Sequence, residues 1–260
     1  MPVDPRLIHR HHASKRGAKT RSKLEGMWGD PSSGILRSFC FMVCTEVGLA
    51  RLNALLDDPA NDEHPFQELL TKAREQERDY ISAQLTPDAL KTYPMNPTED
   101  PGFARCEPWG VGRQMFAPHQ FEIRQHGNDV IELRYGEWDA RRTIYMNADK
   151  RRANPQPSRM GYSVGHWEGD ALVIETSHIA PNLMLWTDLN HLARHSDQLH
   201  IRERYVRSED GKALELTATI EDAWSLREPL VVKKMWRWSP ESEIDPYKDC
   251  QIPTNLLKKE

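Results

Sequence analysis

What this sequence lacks narrows it first. No apolar run in its 260 residues approaches the roughly 18–20 needed for a membrane span, and mean hydropathy is −0.73. There is no glycine-rich phosphate loop, no nucleophile elbow and no H-E-x-x-H helix, which argues against NAD, ATP and triad-type chemistry. Internal repeats are absent. Only four cysteines occur, Cys40, Cys44, Cys106 and Cys250. The first two, four apart, cannot complete a zinc site, and no second pair at metal spacing exists. The absence of a clean signal-peptide cleavage site after the apolar stretch ILRSFCFMVCT favours a cytoplasmic location. A periplasmic one would let Cys106 and Cys250 pair.

Charge is present but uneven. Residues 1–25 hold seven Lys/Arg against two acidic residues, while the whole chain is −4. The segment 1–35 reads as a basic, disordered arm. With no second basic patch on the acidic remainder, nucleic acid is not an expected partner. Residues 36–112 read as a helical segment ending in a Pro/Gly-rich loop. Val47, Leu49, Leu52, Leu55 and Leu56 recur at helical spacing, as do Phe66, Leu69, Leu70, Ala73, Tyr80 and Ile81. Thr86, Pro87 and Asp88 spell a helix start. An exposed apolar face there would form a homodimer interface or cap the rest of the chain.

From Met115 the period changes from 3.6 to 2. Eight strands are expected, at 119–125, 130–137, 141–147, 161–167, 171–178, 199–207, 213–222 and 230–238. Short turns such as HGND, WEGD and SEDGK join several of them. The pattern predicts an eight-stranded antiparallel, lipocalin-like barrel over 113–250, with 251–260 as a tail. An NTF2-like α+β cone is the alternative. Two long links, 148–160 and 179–198, are candidate lids.

Alternation then exposes a conflict. Glu203 shares its face with Leu199, Ile201 and Tyr205. By the same rule Glu137 joins Ile131, Leu133 and Tyr135; Arg142 joins Ile144; His166 joins Tyr162 and Val164; Asp222 joins Leu214, Leu216 and Ile220. Buried charges must be paired, so these groups should converge. Glu203 and Arg142, across the sheet from one another, are the prime pair. His195 adds a candidate base. His191 and His195 would share a face if 187–195 were helical, and with Asp188 they suggest a metal site as a third reading.

Four blocks, RCEPWGVG, RRTIYMN, GYSVGHWEGDALVIET and HSDQLHIRERY, resemble an uncharacterised bacterial family. Its members read Cys-x-Pro-x-Gly, Arg-x-Ile-x-Met, G-x-S-x-G-x-W-E-G-D-T-L-V-V-x-T and H-S-x-x-L-x-x-x-E-R. The likeness spans about residues 85–250. It carries over to Arg142, Trp167, Glu168, Asp170, His195, Ser196 and Glu203, although RRTIYMN lacks the family's usual Asp-Gly-Arg ending. It supplies no activity.

The function expected is a cofactor-independent acid/base enzyme, a lyase or isomerase acting on a small phenolic substrate. In it Tyr135 and Arg142 hold an anion, Glu203 or His195 moves the proton, and Asp222 orients the base. Glu137, Tyr205, His166 and Trp167 line the substrate. No cofactor or metal is called for. The phenolic acid decarboxylases, with a lipocalin-like barrel, are an analogy of parts. A carrier of a small apolar ligand is the alternative.

Overall fold

In a computed structural model, the chain is described over residues 23–29, 44–95, 99, 106–117, 119–147, 149, 151, 153–185 and 192–244. Alternating apolar residues dominate the second half, and they close into a barrel. Its strands are β1 (Gly26–Gly29), β2 (Phe121–His126), β3 (Val130–Tyr135), β4 (Arg141–Tyr145), β5 (Tyr162–Glu168), β6 (Ala171–Ser177), β9 (His200–Arg207), β10 (Ala213–Glu221) and β11 (Leu230–Trp238). Around the barrel the order is β1-β11-β10-β9-β6-β5-β4-β3-β2. A separate two-stranded ribbon, β7 (Asn182–Leu185) and β8 (Leu192–His195), lies between β6 and β9 in the chain.

Two expectations are corrected. The barrel has nine strands, not eight, because Gly26–Gly29, inside the segment expected to be the basic arm, inserts between β2 and β11. Four residues with glycine at both ends carry too little alternation to read as a strand. The barrel is also mixed: β4 and β5 run parallel, Ile144 opposite Ser163, while the other pairs are antiparallel. A parallel pair needs a crossover of a dozen residues or more. The stretch 146–161, which contains the candidate lid 148–160, is that crossover.

The helices are α1 (Glu46–Asp57), α2 (Phe66–Ala83), α3 (Pro87–Leu90) and α4 (Val111–Gln114). Thr86 caps α3 as its sequence implies, accepting from Ala89 N at 3.2 Å. Ile81, Leu85, Ala89, Val111, Met115 and Phe116 belong to the same core cluster as the barrel interior. The end of α2 with α3 and α4 therefore closes one end of the barrel, tied to the β10–β11 loop by Thr86 N to Ser225 O at 3.0 Å and Arg227 N to Gln84 O at 2.8 Å, while α1 packs on the first part of α2 in a separate cluster. Inside that cap Lys234, on the inner face of β11, donates to the Phe116 and Ala117 carbonyls at 2.9 and 2.8 Å. No helix among the described residues is long and apolar enough to cross a membrane.

Cys44 and Cys106 are both disulfide-bonded, and no described cysteine is free. Cys40 and Cys250 lie outside the described residues. Peptide mapping after alkylation without reductant should therefore leave Cys44 and Cys106 unlabelled. Stoichiometric labelling of either would contradict the bonding.

The α1–α2 contact turns on one buried carboxylate. Glu77 of α2 accepts from Thr45 N at 2.6 Å and Thr45 Oγ1 at 2.9 Å, and Thr45 in turn caps α1 at Gly48 N. A Cβ at Gly48 would lie 1.8 Å from Glu77 Oε2, so only glycine admits the carboxylate. Burial raises the Glu77 pKa above 4.5, outweighing the Thr45 hydrogen bonds. A raised carboxyl pKa means the folded state holds its proton more tightly, so its contribution is complete below about 4.5 and fades as pH rises through the folded value. Glu77→Gln should flatten the fall in thermal stability from pH 4.5 to 7. An unchanged slope would remove Glu77 as the cause.

Candidate functional site

Arg142 enters the barrel from the second position of β4, and Glu203 from the middle of β9. Two strands, β5 and β6, separate them in the barrel wall. The arginine side chain reaches Glu203 by lying over the inner faces of both, and each offers it a hydroxyl. Nε donates to Ser163 Oγ on β5 at 2.8 Å, and Nη2 donates to Thr176 Oγ1 on β6 at 2.5 Å. Nη1 donates to Glu203 Oε1 at 3.1 Å and to Tyr135 Oη at 3.4 Å, while Nη2 also meets Glu203 Oε2. A guanidinium has five N–H donors, and five contacts account for them. Tyr205 Oη donates to Glu203 Oε1 at 2.8 Å, and Ser163 and Thr176 are 3.0 Å apart.

This cluster is dry. Glu203 and Thr176 are 0% exposed, and Arg142 and Tyr135 are 3%. Burial, opposed by the Arg142 charge, pushes the Tyr135 phenol up to about 12. Burial and the adjacent Glu203 carboxylate hold Tyr205 well above its usual range. Both hydroxyls therefore stay protonated: Tyr205 donates to Glu203, and Tyr135 accepts from Arg142. The Glu203 carboxylate and the Tyr135 and Tyr205 oxygens hold Arg142 charged against the desolvation that opposes it. Phe121 packs against this group, its ring centroid 5.1 Å from Tyr135 and 5.9 Å from Tyr205.

Four expected residues, Tyr135, Arg142, Glu203 and Tyr205, are thus brought together. The others lie elsewhere. His195 is buried on β8, its Nδ1 3.0 Å from Ser196 O, and burial lowers its pKa. Asp222 accepts from Ser196 N and Oγ, both at 2.7 Å, and from Trp224 N at 3.1 Å, so it holds Ser196 and not the imidazole. Among the described residues no hydrogen bond links this pair to Arg142 or Glu203. Glu137 is buried in the 3-10 turn after β3, touching His119. Residues 192–195 form a strand, so the helical condition for the metal reading is not met there, and Asp188 and His191 lie outside the described residues. Among the described residues no group of three or more His, Cys, Asp or Glu could hold a metal.

The facing of β5 is the reverse of the expectation. Tyr162, Val164 and His166 point outward, and His166 is exposed beside Glu168 at 3.1 Å. Ser163 and Gly165 point inward because the interior there is already full. Arg142 lies against Ser163, and a Cβ on Gly165 would meet Ile144 Cγ2 and Met146 Sδ at 2.7 Å. Apolar content, read as the inward signal, marked the wrong face. Trp167 follows inward at the open end, 38% exposed, where it lines a cavity of about 200 Å³ with Gln125, Asn128, Ile131 and Met146.

Three residues were missed. Ser163 and Thr176 are fixed letters of the G-x-S-x-G…V-V-x-T block, so the signal existed. Read as a nucleophile elbow, Gly161–Gly165 would mislead, because Ser163 sits within a strand and its hydroxyl is bound to Arg142 and Thr176. Lys234 alternates inward with Leu230, Val232 and Trp236, by the rule that exposed Glu203.

Comparison with known proteins returned no matching family model, no matching curated protein and no matching solved structure. The family resemblance of the W-E-G-D block gains no support from them.

Removing one member of a buried ion pair strands the other, at a cost of about 3–5 kcal/mol. Arg142→Met should lower unfolding free energy by roughly that amount. The double variant Arg142→Met/Glu203→Leu should recover most of it, since an apolar pair leaves no orphan charge. Chemical denaturation of the three proteins tests this, and a loss below ~1 kcal/mol for the single variant would show the pair to be slack.

Proposed function

We propose that the barrel is a cofactor-independent acid/base enzyme, a lyase or isomerase, that takes a small phenolic substrate into its interior. The observation that carries this reading is the convergence of two protonated tyrosines, a guanidinium and a carboxylate in one dry hydrogen-bonded cluster. Preorganised donors in a water-excluded site stabilise developing negative charge far better than solvent does.

In this reading Tyr135 holds the phenolate or carboxylate, and Arg142 takes part by giving up its contact with the Tyr135 oxygen or by its charge alone, since its five donors are engaged within the protein. Glu203 moves the proton, with Tyr205, 2.8 Å from it, as its relay. Ser163 and Thr176 fix the guanidinium so that the site needs no rearrangement as charge develops. Proton transfer to or from carbon becomes accessible when a phenolic oxygen delocalises the electron pair, so no cofactor is required. His195 stands outside this scheme, since no hydrogen bond joins it to the cluster.

A carrier of a small apolar ligand is the second reading. It is favoured by the complete hydrogen bonding of Arg142 to side chains of the protein, as in a purely structural pair. Two disulfide-bonded cysteines favour an oxidising compartment such as the periplasm over the cytoplasm.

Glu203→Gln keeps the shape and removes the proton carrier. Assayed by mass spectrometry on a panel of phenolic acids with chelator present, it should lose about 10²–10⁴-fold in turnover. Affinity should stay within about threefold, because one hydrogen-bond acceptor at the site is retained. Turnover by neither protein, with only affinity altered, would leave the carrier.

A further inference from the structure

Among the described residues the tryptophan side chains are buried or half-buried with one exception, Trp167, which is 38% exposed. It is not a loose surface group. Its backbone lies in β5 opposite Leu172 of β6, and its side chain borders the cavity of about 200 Å³ at the turn end of the barrel. Among the described residues the indole stacks on no other ring and its N–H meets no acceptor. An indole offers an apolar face and a polar handle together, which suits it to a surface that is apolar on one side and wet on the other.

The rest of the cavity is equally particular. Ile131 and Met146 supply an apolar floor, and Gln125 and Asn128 bring two carboxamides to the rim. That rim is held in place. The Gln125 side chain donates to Gly127 O at 2.8 Å, and Asp129 accepts from Met146 N at 2.8 Å and from Asn147 Nδ2 at 2.9 Å. The β2–β3 turn is thus tied to the chain leaving β4, so a ligand meets a surface ordered in advance. Among the described residues no titratable side chain lines the cavity. The paired Ile131 and Ile144, both buried, lie between it and Arg142, which is two residues deeper than Ile144 on β4.

These features select a ligand. With no charge in the lining, neither a carboxylate nor an ammonium is matched. The volume is the share of roughly seven waters, enough for one six-membered ring. A purely apolar ring would cover the carboxamides without bonding them, and that desolvation would go uncompensated. A pyranose has a face of C–H bonds to lay on the indole and the floor. Its edge carries hydroxyls that both donate and accept, as carboxamides do.

We propose that the Trp167 cavity is a monosaccharide-binding site for a neutral pyranose ring, its C–H face on the indole and its hydroxyls on the Gln125 and Asn128 carboxamides. The site is independent of the acid/base reading of the Arg142–Glu203 cluster, and it holds a sugar without reacting with it.

Titration of the isotope-labelled full chain with the methyl pyranosides of glucose, galactose and mannose tests this, read on the Trp167 Nε1–H and Asn128 side-chain amide resonances. At least one glycoside should shift both saturably, with a Kd of about 1–10 mM, as one stacked face and a few hydrogen bonds provide. Trp167→Ala should weaken binding at least about tenfold, and Asn128→Ala about threefold. Both side chains are exposed, so thermal unfolding should stay where it is. Should Trp167→Ala fail to fold, the wild-type shifts and Asn128→Ala decide. No shift with any glycoside up to about 100 mM, shifts confined to other residues, or affinity unchanged in the variants would each overturn the proposal. Adenine or phenol moving these resonances where no glycoside does would overturn it as well.

Discussion

The Arg142–Glu203 pair organises the barrel interior. Each ion costs several kcal/mol to bury, so the pair is tolerable only with complete hydrogen bonding. That requirement propagates outward. The guanidinium must cross β5 and β6 to reach β9, which forces small hydroxyl residues at Ser163 and Thr176 where apolar side chains would otherwise pack. With the inner face of β5 given to Ser163 and Gly165, its apolar residues turn outward. Tyr162 then stacks on Tyr145, 5.2 Å between centroids, across the parallel seam.

The two ends of the barrel are built differently. At one end, α2, α3 and α4 bury Ile81, Ala89 and Val111 into the core, and Lys234 pins the chain leaving α4 from within. At the other, tight turns close the hairpins. The W-E-G-D turn places Gly169 at φ +61°, in the left-handed region that a two-residue hairpin turn exploits. Trp167 stands over a small cavity there. The capped end holds the polar cluster and the His195–Asp222 loop, and the turn end holds the exposed aromatic.

Much of this was legible in the sequence, for identifiable reasons. All eight expected strands exist with ends shifted by a few residues, because period-2 alternation over five to nine residues is a strong signal. Glu203 and Arg142 were found by violating that alternation. The failures share a cause: each is a place where tertiary packing overrides local pattern. β1 is too short to alternate, and the parallel seam of β4 and β5 leaves no mark on either strand. The apolar Tyr162 and Val164 point to an inward His166, but the Arg142 side chain, 21 residues before the Ser163 it contacts, occupies that wall. Asp222 lies on the expected face yet serves Ser196, a partner no spacing rule foretells.

The pairing of β1 with β11 has a kinetic consequence. Trp28 faces Trp238 across the seam, and the first described strand thereby meets the last. Closure by contacts so distant in sequence is entropically late, and folds dominated by such pairings are slow. Until β11 is made, β1 can lie only on β2, and the growing sheet has an unpaired edge at β10. Pairing of β1 with β11 is thus the contact that removes both free edges at once and turns an open sheet into a barrel.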